Sequence, residues 1–454
     1  MPVTTTYSPS LSADVTRYLS DDLLPLTLSE LVFYEFSEKR QLPRGRGTTY
    51  TMSRYARLPL SYAPTAEGVP PVASPLQISQ ATVQLQQWTA LVTITDVAQA
   101  TIQHDVFKIA KERLTLAGAE LMERNCAFAL MAFPQINYVN QRGSRGALTS
   151  SDVLNVEELQ RAFAILQDLG VPMFRGPSGP KVTKNAGEGQ PNALGNPRQQ
   201  PHYVAVVHPM IQAALRSNQQ VQLISSYSSP NRLYNGEFGE WNSIRFCSSN
   251  MVPYFTGLAA VTGTGSITGG TLAAGNWQIQ VTAQDQIFQY ERKIYQQSGN
   301  INIASGTTGS ISVTLPSTPG YLYNVYITPS PGSTTIGNIA TCAAGPTQGL
   351  MQGQAVQLSP GSTVTLTGVG VSQVPPAAPQ TGITVYPTFI FGKDAYATVT
   401  LEDIEVNYLD KAEKTDPANQ LRMASFKFYN GTFLMNQAFA LRIEGTSPFS
   451  LTFG

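Results

Sequence analysis

Residues 105–131, "DVFKIAKERLTLAGAELMERNCAFALM", place apolar side chains at Val106, Ala110, Leu114, Ala117, Leu121 and Phe128. That spacing follows the turn of a helix and predicts the longest helix of the chain. Asp105 is its candidate cap, Lys108, Lys111, Glu112 and Arg113 form its wet face, and Pro134 ends it. At about 1.5 Å per residue it is a rod of about 40 Å, long enough to back an extended molecule. Two shorter helices are expected within 10–36, "SLSADVTRYL" and "LTLSELVFYEF", split by Pro25, with Thr27 capping the second. A capped helix is expected over 152–168, stopped by Gly170 and Pro172. A buried strand, "HYVAVVH", runs directly into a helix that Pro209 opens at its first turn.

Alternating patterns predict strands from about 48 to 53 and again up to "ALVTITDV". Between them lies "RYARLPLSYAPTAEGVPPVAS" (54–74), with four prolines and neither period. A hairpin needs only a few residues to reverse. The prolines limit the disorder of an arm without a core of its own and reduce the entropy lost when it docks. The stretch therefore reads as half of an interface. Residues 176–201 are a second polar, Gly/Pro-rich loop. Near the C-terminal end, Asn430-Gly431 is a tight-turn signal between two expected strands.

Charge divides the chain. Between Met251 and Ile390 the only charged residues are Asp285, Glu291, Arg292 and Lys293. Short β signals fill the segment: "GNWQIQVTAQD", "GSISVTLP", "YLYNVYITPSPG" and "STVTLTGV", separated by turn residues. It has the length of one β-sandwich inserted into a host domain, and its ends should lie close together.

At 454 residues, two or more compact units are expected. Lys+Arg and Asp+Glu stand at 29 each, so no net charge draws the chain to nucleic acid or anionic membrane. Charged residues are only 13%, which suits surfaces that mostly face other protein. Cys126, Cys247 and Cys342 are far apart and lack CxxC spacing, so neither a disulfide framework nor a zinc site is expected. No basic-then-apolar leader opens the sequence, and no apolar run is long enough to span a membrane. Folding in a reducing cytoplasm is the expectation.

Catalytic chemistry is nearly absent. His202 and His208 share one expected strand but have no acid close in sequence to complete a metal site. "GPSGPKVT" lacks the adjacent Gly-Lys-Ser/Thr of a phosphate loop, and Pro180 removes a donor. There is no GxSxG, HExxH or CxxC. No enzyme activity and no cofactor are expected. Arg44, Arg46, Arg54 and Arg57 cluster with Tyr50 and Tyr55; they could touch phosphates or pair with acids on a neighbouring subunit. Arg54, Arg57, Glu67, Arg44 and Arg46 are the candidate inter-subunit contacts.

Five stretches, taken in order, carry a family resemblance: "RYARLPLSYAPTAEGVPP", "HYVAVVHPMIQAALR", "LYNGEFGEWNSIRF", "FIFGKDAYATVTLED" and "KTDPANQLRMASFKFYNGTFLMNQAFALRIE". The chain resembles tailed-phage major capsid proteins of the Hong Kong 97-like fold, more narrowly the N-four-type podophage capsid family, over about 1–250 and 385–454. The resemblance implies an α+β fold with an N-terminal arm (1–46) and an extended loop (47–95). It implies a peripheral domain with a spine helix (96–150 and 400–454), an axial domain (151–250 and 385–399) and an inserted immunoglobulin-like sandwich (251–384). It further implies hexamers and pentamers that close into an icosahedral shell around packaged double-stranded DNA, assembled in the host bacterial cytoplasm. Portal, scaffolding and decoration proteins are the implied partners, with no membrane. Some shells of this fold join subunits through an extended-loop lysine; between Gly47 and Val92 there is none. "GYLYNVYITPSPG" resembles an immunoglobulin- or fibronectin-like strand, and the insertion would stiffen contacts between capsomers or attach to glycans. The alternative reading is a phage surface adhesin or decoration protein that binds glycans through its sandwich.

Overall fold

A computed structural model of the chain describes residues 31–55, 67, 75–95, 106–174, 201–218, 220–223, 234, 236–285, 289–342, 345–346, 358, 360–409 and 421–449. The expected helix "SLSADVTRYL", the loop at 176–201 and most of 54–74 lie outside them. The chain divides into two compact units. The first comprises residues 1–29, 87–119 and 402–429, the second 30–86, 120–401 and 430–454.

In chain order the second unit opens with α1 (Phe33–Phe36) and β1 (Glu38–Gln41), then β2 (Thr49–Tyr55) and β3 (Ile78–Gln84). Only the last turn of the expected helix over 26–36 falls among the described residues. The first unit holds most of β4 (Gln86–Thr95) and the start of α2 (Val106–Met131), the long helix expected from periodicity. Its buried stripe differs from the expected one. Ala110, Leu114, Gly118, Met122, Cys126 and Leu130 are buried at strict four-residue steps, while Ala117 is exposed and Leu121 and Phe128 are half-buried. A glycine carries no hydropathy signal, so Gly118 was invisible in the apolar pattern that placed Ala117 on the stripe.

Two layers of side chains cover a mixed sheet in the second unit. It begins with β5 (Ile136–Tyr138) and α3 (Val156–Asp168), then β6 (Tyr203–Val207), α4 (Pro209–Arg216) and β7 (Gln222–Leu223). β8 (Glu237–Trp241) and β9 (Ile244–Ser248) follow. In β6, Tyr203, Ala205 and Val207 face one core with Leu159 and Ile211 of the helices. Val204 and Val206 face another with Phe33, Cys126 and Leu130. Strict alternation with both faces apolar is the signature of a strand buried on both sides.

α3 starts at Val156, four residues later than expected, with Asn155 accepting from the Glu158 amide at 3.0 Å. Asp152 does not open the helix because its carboxylate closes the turn before it. It accepts from the Thr149 amide (2.7 Å), the Thr149 hydroxyl (2.9 Å), Asn140 Nδ2 (2.7 Å) and Arg142 Nε (3.1 Å). Burial alone would raise this carboxyl, but the hydrogen bonds outweigh it and hold the group well below the usual range. Pro209 occupies the first turn of α4 as expected, and His208 Nδ1 accepts from the Met210 amide at 3.2 Å.

Residues 251–384 are all strand and turn where described. They run through β10 (Phe255–Leu258), β11 (Gly263–Ser266), β12 (Gly275–Trp277), β13 (Ile279–Asp285) and β14 (Glu291–Tyr295). Then come β15 (Ile301–Ile303), β16 (Ser310–Thr314), β17 (Tyr321–Ile327), β18 (Asn338–Cys342), β19 (Gly345–Pro346) and β20 (Thr363–Ser372). They enclose a core of their own, with Trp277, Val281, Ile303, Val313, Tyr323 and Leu366. The ladder is continuous with the host: β10 pairs with β21 (Thr384–Phe391), Phe255 opposite Val385 and Thr256 opposite Thr384. The entry and exit of the segment are thus neighbouring strands.

The chain finishes with β22 (Tyr396–Leu409), β23 (Leu421–Leu434) and β24 (Ala440–Gly445). β23 runs unbroken through Asn430-Gly431, so the expected tight turn is not there. Glycine serves close approach instead: a Cβ on Gly431 would meet Val83 Cγ2 at 2.7 Å and the Gln84 carbonyl oxygen at 3.1 Å. A two-residue turn does occur between β8 and β9, where Asn242 and Ser243 adopt φ of 43° and 62°. Two successive left-handed residues match the twist of the flanking strands.

Candidate assembly surface

The β2–β3 hairpin pairs seven residues, from Thr49 opposite Gln84 to Tyr55 opposite Ile78. Its base is anchored. Tyr50, Met52, Ala81 and Val83 pack against Leu42, Leu85, Val399 and Phe433. Beyond that base both faces are open, and the ladder ends in exposed Tyr55 (60%), Leu76 (57%) and Ile78 (55%). Thr51 pairs with Thr82 through their hydroxyls at 3.2 Å and Gln80 donates to Ser53 at 3.4 Å, so one face is neutral and polar. A two-stranded ribbon with open faces is marginal by itself in water. Among the described residues its outer half has no apolar cover.

Arg44 and Arg46 lie exposed after β1, and Arg54 is exposed on β2. Glu67 is exposed, and Arg57 lies outside the described residues. A groove of about 600 Å³ opens at the side of the hairpin, lined by Met52, Arg54, Ala81, Asp394, Phe433 and Met435.

What sequence reading missed is how the surroundings of the hairpin are tied together. Glu123, in the middle of α2, is fully buried. Its Oε1 accepts from the Val32 and Phe33 amides at 2.5 Å each, and Oε2 from the Tyr34 amide at 2.8 Å. Three consecutive orphan amides at the start of α1 are thereby satisfied by one carboxylate. Burial raises the Glu123 carboxyl above its ordinary value, and the three amides offset part of that rise. Tyr396 Oη donates to the Phe33 carbonyl at 2.5 Å from the other side.

A second set of ties fixes the 251–384 segment to its host. Arg145 makes a two-point pair with Glu444, stacks on the Phe255 ring at 3.9 Å and donates through Nη1 to the Ala377 carbonyl at 2.9 Å. Arg124 of α2 donates to Gln289 at 2.7 Å, and the Phe128 and Tyr290 rings lie 5.0 Å apart. Asp285 pairs with Arg292 at 3.2 Å. The four charges of the segment sit on β13 and β14, and β14 pairs with β10, the strand that joins the host ladder. Neither Glu444 nor Glu123 signals a partner in sequence, because the partners are about 300 and 90 residues away.

Among the described residues no group of three or more His, Cys, Asp or Glu is placed to hold a metal. His202 and His208 take separate roles: His202 hydrogen-bonds the Tyr234 hydroxyl at 2.8 Å, and His208 packs against Tyr254 and Tyr386. None of the described cysteines forms a disulfide. Cys126 is core, its thiol pushed up to about 12 by burial. No described helix is long and apolar enough to cross a membrane.

No known family of sequences matches the chain, and no curated protein does. Solved structures do. The capsid chain of Ralstonia phage GP4 is 10% identical, with all of both chains covered and a TM-score of 0.52. The capsid of cyanophage P-SCSP1u aligns at 11% identity over 97% of this chain and 96% of its own, with a TM-score of 0.48. The cyanophage Pam1 capsid aligns at 10% over 98% and 100%, also at 0.48. The likeness to the GP4 chain spans the full length and identifies a phage capsid fold.

Proposed function

We propose that the chain is a phage major capsid protein that assembles, as hexamers and pentamers of the Hong Kong 97-like type, into an icosahedral shell enclosing double-stranded DNA. The observation that carries this reading is the β2–β3 hairpin: among the described residues its anchorage lies at its base, with Tyr55, Leu76 and Ile78 exposed beyond it. A neighbouring copy supplies the missing cover. The low share of charged residues, 13%, agrees with a protein whose work is association. The likeness in fold to the capsid chain of Ralstonia phage GP4 supports the reading.

The segment assignments belong to the same proposal. Residues 1–46 act as an arm and 47–95 as an extended loop. Residues 96–150 with 400–454 form the peripheral domain, and 151–250 with 385–399 the axial domain. Residues 251–384 are an immunoglobulin-like insertion that stiffens the shell. Its attachment through Arg145 and Arg124 favours stiffening over a loosely tethered glycan-binding module. Portal, scaffolding and decoration proteins and the DNA are the partners this role requires, and the virion capsid is its location.

Negative-stain imaging of the expressed full chain tests the reading. Rings, tubes or closed shells are expected. A chain that stays monomeric at every concentration and salt tried overturns it.

A further inference from the structure

A cavity of about 350 Å³ opens where the 251–384 segment meets its host. The host contributes Phe128 and Met131 from the end of α2 and Ile136 from β5. The segment contributes Pro253 and Phe255 at its entry and Pro376 near its exit. Phe128, Met131, Ile136 and Pro376 are each half-buried, so among the described residues their apolar surface converges on the opening without full cover. A concave, mostly apolar wall with a few polar groups is the usual make-up of a small-molecule site, and this one lies at the lower end of the size range.

Charge decides which class of molecule fits. Arg145, Glu291 and Arg442 also line the cavity, and each is already engaged within the chain. Arg145 holds Glu444 at two points and the Ala377 carbonyl, and Arg442 lies 3.2 Å from the same Glu444 and donates to the Met131 carbonyl. Glu291 Oε1 accepts from the Thr282 hydroxyl (2.9 Å), Asn324 Nδ2 (2.6 Å) and the Tyr326 hydroxyl (2.7 Å). An anion competes with Glu444 for either guanidinium and loses its own hydration on entering, whereas an uncharged molecule leaves every one of these contacts in place. We infer that the cavity is a binding site for an uncharged, apolar small molecule. Such a ligand touches α2, β5 and both ends of the inserted strands together, and so adds to the attachment of the segment. This site is separate from the hairpin and independent of the assembly reading.

Methyl-labelled NMR on the unassembled full chain tests it, with toluene as the probe. The Phe128 and Phe255 rings and the Met131 thioether suit an aromatic hydrocarbon. The methyl signals of Met131 and Ile136, assigned through Met131→Leu and Ile136→Val, should shift saturably, with a Kd in the roughly millimolar range for so small a ligand. Benzoate carries the same ring with a charge and should bind about tenfold more weakly or less. Met131→Gln places an amide in the wall at similar size and should weaken toluene about tenfold. Pro376→Ser makes the same comparison from the side of the segment, away from the helix, and should weaken it about threefold. Shifts that never saturate, shifts confined to other methyl groups, benzoate binding as tightly as toluene, or toluene binding unchanged by both substitutions each overturn the inference. No particle has to form in this test, so its failure leaves the shell reading intact.

Discussion

Arg145 and Glu444 lie 299 residues apart in sequence and meet in a two-point ion pair, Nε to Oε2 and Nη2 to Oε1, both at 2.7 Å. The same guanidinium touches Phe255 at the entry of the 251–384 segment and Ala377 near its exit. One side chain thus secures the last strand and both attachments of the segment. Arg145→Met should cost about 3–5 kcal/mol, because it strands a buried carboxylate. Arg442, 3.2 Å from Glu444, holds the loss toward the lower end. The Arg145→Met/Glu444→Met double substitution should cost less than Arg145→Met alone, read from urea midpoints at constant slope.

Glu123 gives a second test. Glu123→Ala leaves the Val32, Phe33 and Tyr34 amides without an acceptor, and each stranded amide costs about 1–3 kcal/mol. Hydrogen exchange should accelerate at those three positions first. Glu123→Gln keeps one acceptor oxygen and should fall between the parent and the alanine variant. Unchanged protection in Glu123→Ala would mean that the packing of Phe33 and Phe36, rather than the carboxylate, holds α1.

Gly431→Ala should destabilise by about 1–3 kcal/mol, an overpacking effect. The added methyl meets Val83 Cγ2, which can move, and the Gln84 carbonyl, which is backbone and cannot move freely. A calorimetric melting temperature reads the result. If Asn430-Gly431 were a turn, alanine there would instead be penalised through φ; β23 is continuous, so the penalty comes from contact.

That dipeptide also marks the limit of sequence reading. Period-two and period-3.6 patterns are local, so β6, α2 and the Pro209 start of α4 were legible. The loss of charge after Met251 marked the all-strand segment for the same reason. The role of Gly431 depends on Val83 and Gln84, nearly 350 residues earlier in the chain. Glu123 and Glu444 look like ordinary surface carboxylates until folding brings amides or a guanidinium to them. The two strands of the hairpin were legible because their alternation is itself local.

His208 should make stability depend on pH. Burial, and secondarily the charge of Arg292, lower it from 6.5 to about 3. The folded chain keeps the ring neutral to about pH 3, whereas the unfolded chain takes up a proton near 6.5. The unfolded state binds more protons in that window, so stability is full above about 6.5 and declines as pH falls, by at most about 1.4 kcal/mol per pH unit from this group. His208→Asn retains a capping acceptor for Met210 and should flatten the decline between pH 7 and 5. Melting temperatures over that range, above the ordinary carboxylate region, make the comparison. An equal slope in both proteins would assign the decline to other groups.

Removing residues 60–74 separates folding from assembly. The paired part of the hairpin, Thr49–Tyr55 with Ile78–Gln84, and its anchorage on Leu42, Leu85 and Phe433 remain. None of those contacts is removed, and the melting temperature of the unassembled chain should stay within about 2 °C of the parent, about 1–2 kcal/mol for a chain of this length. On the proposed assembly reading, particle formation should fail, because that reading gives the deleted stretch the task of reaching a neighbour. Size-exclusion chromatography and negative-stain imaging of the same preparation read both outcomes. A melting temperature that falls by 10 °C or more would place 60–74 in the core of its own subunit, and shells that close normally without it would remove the hairpin from the assembly contacts.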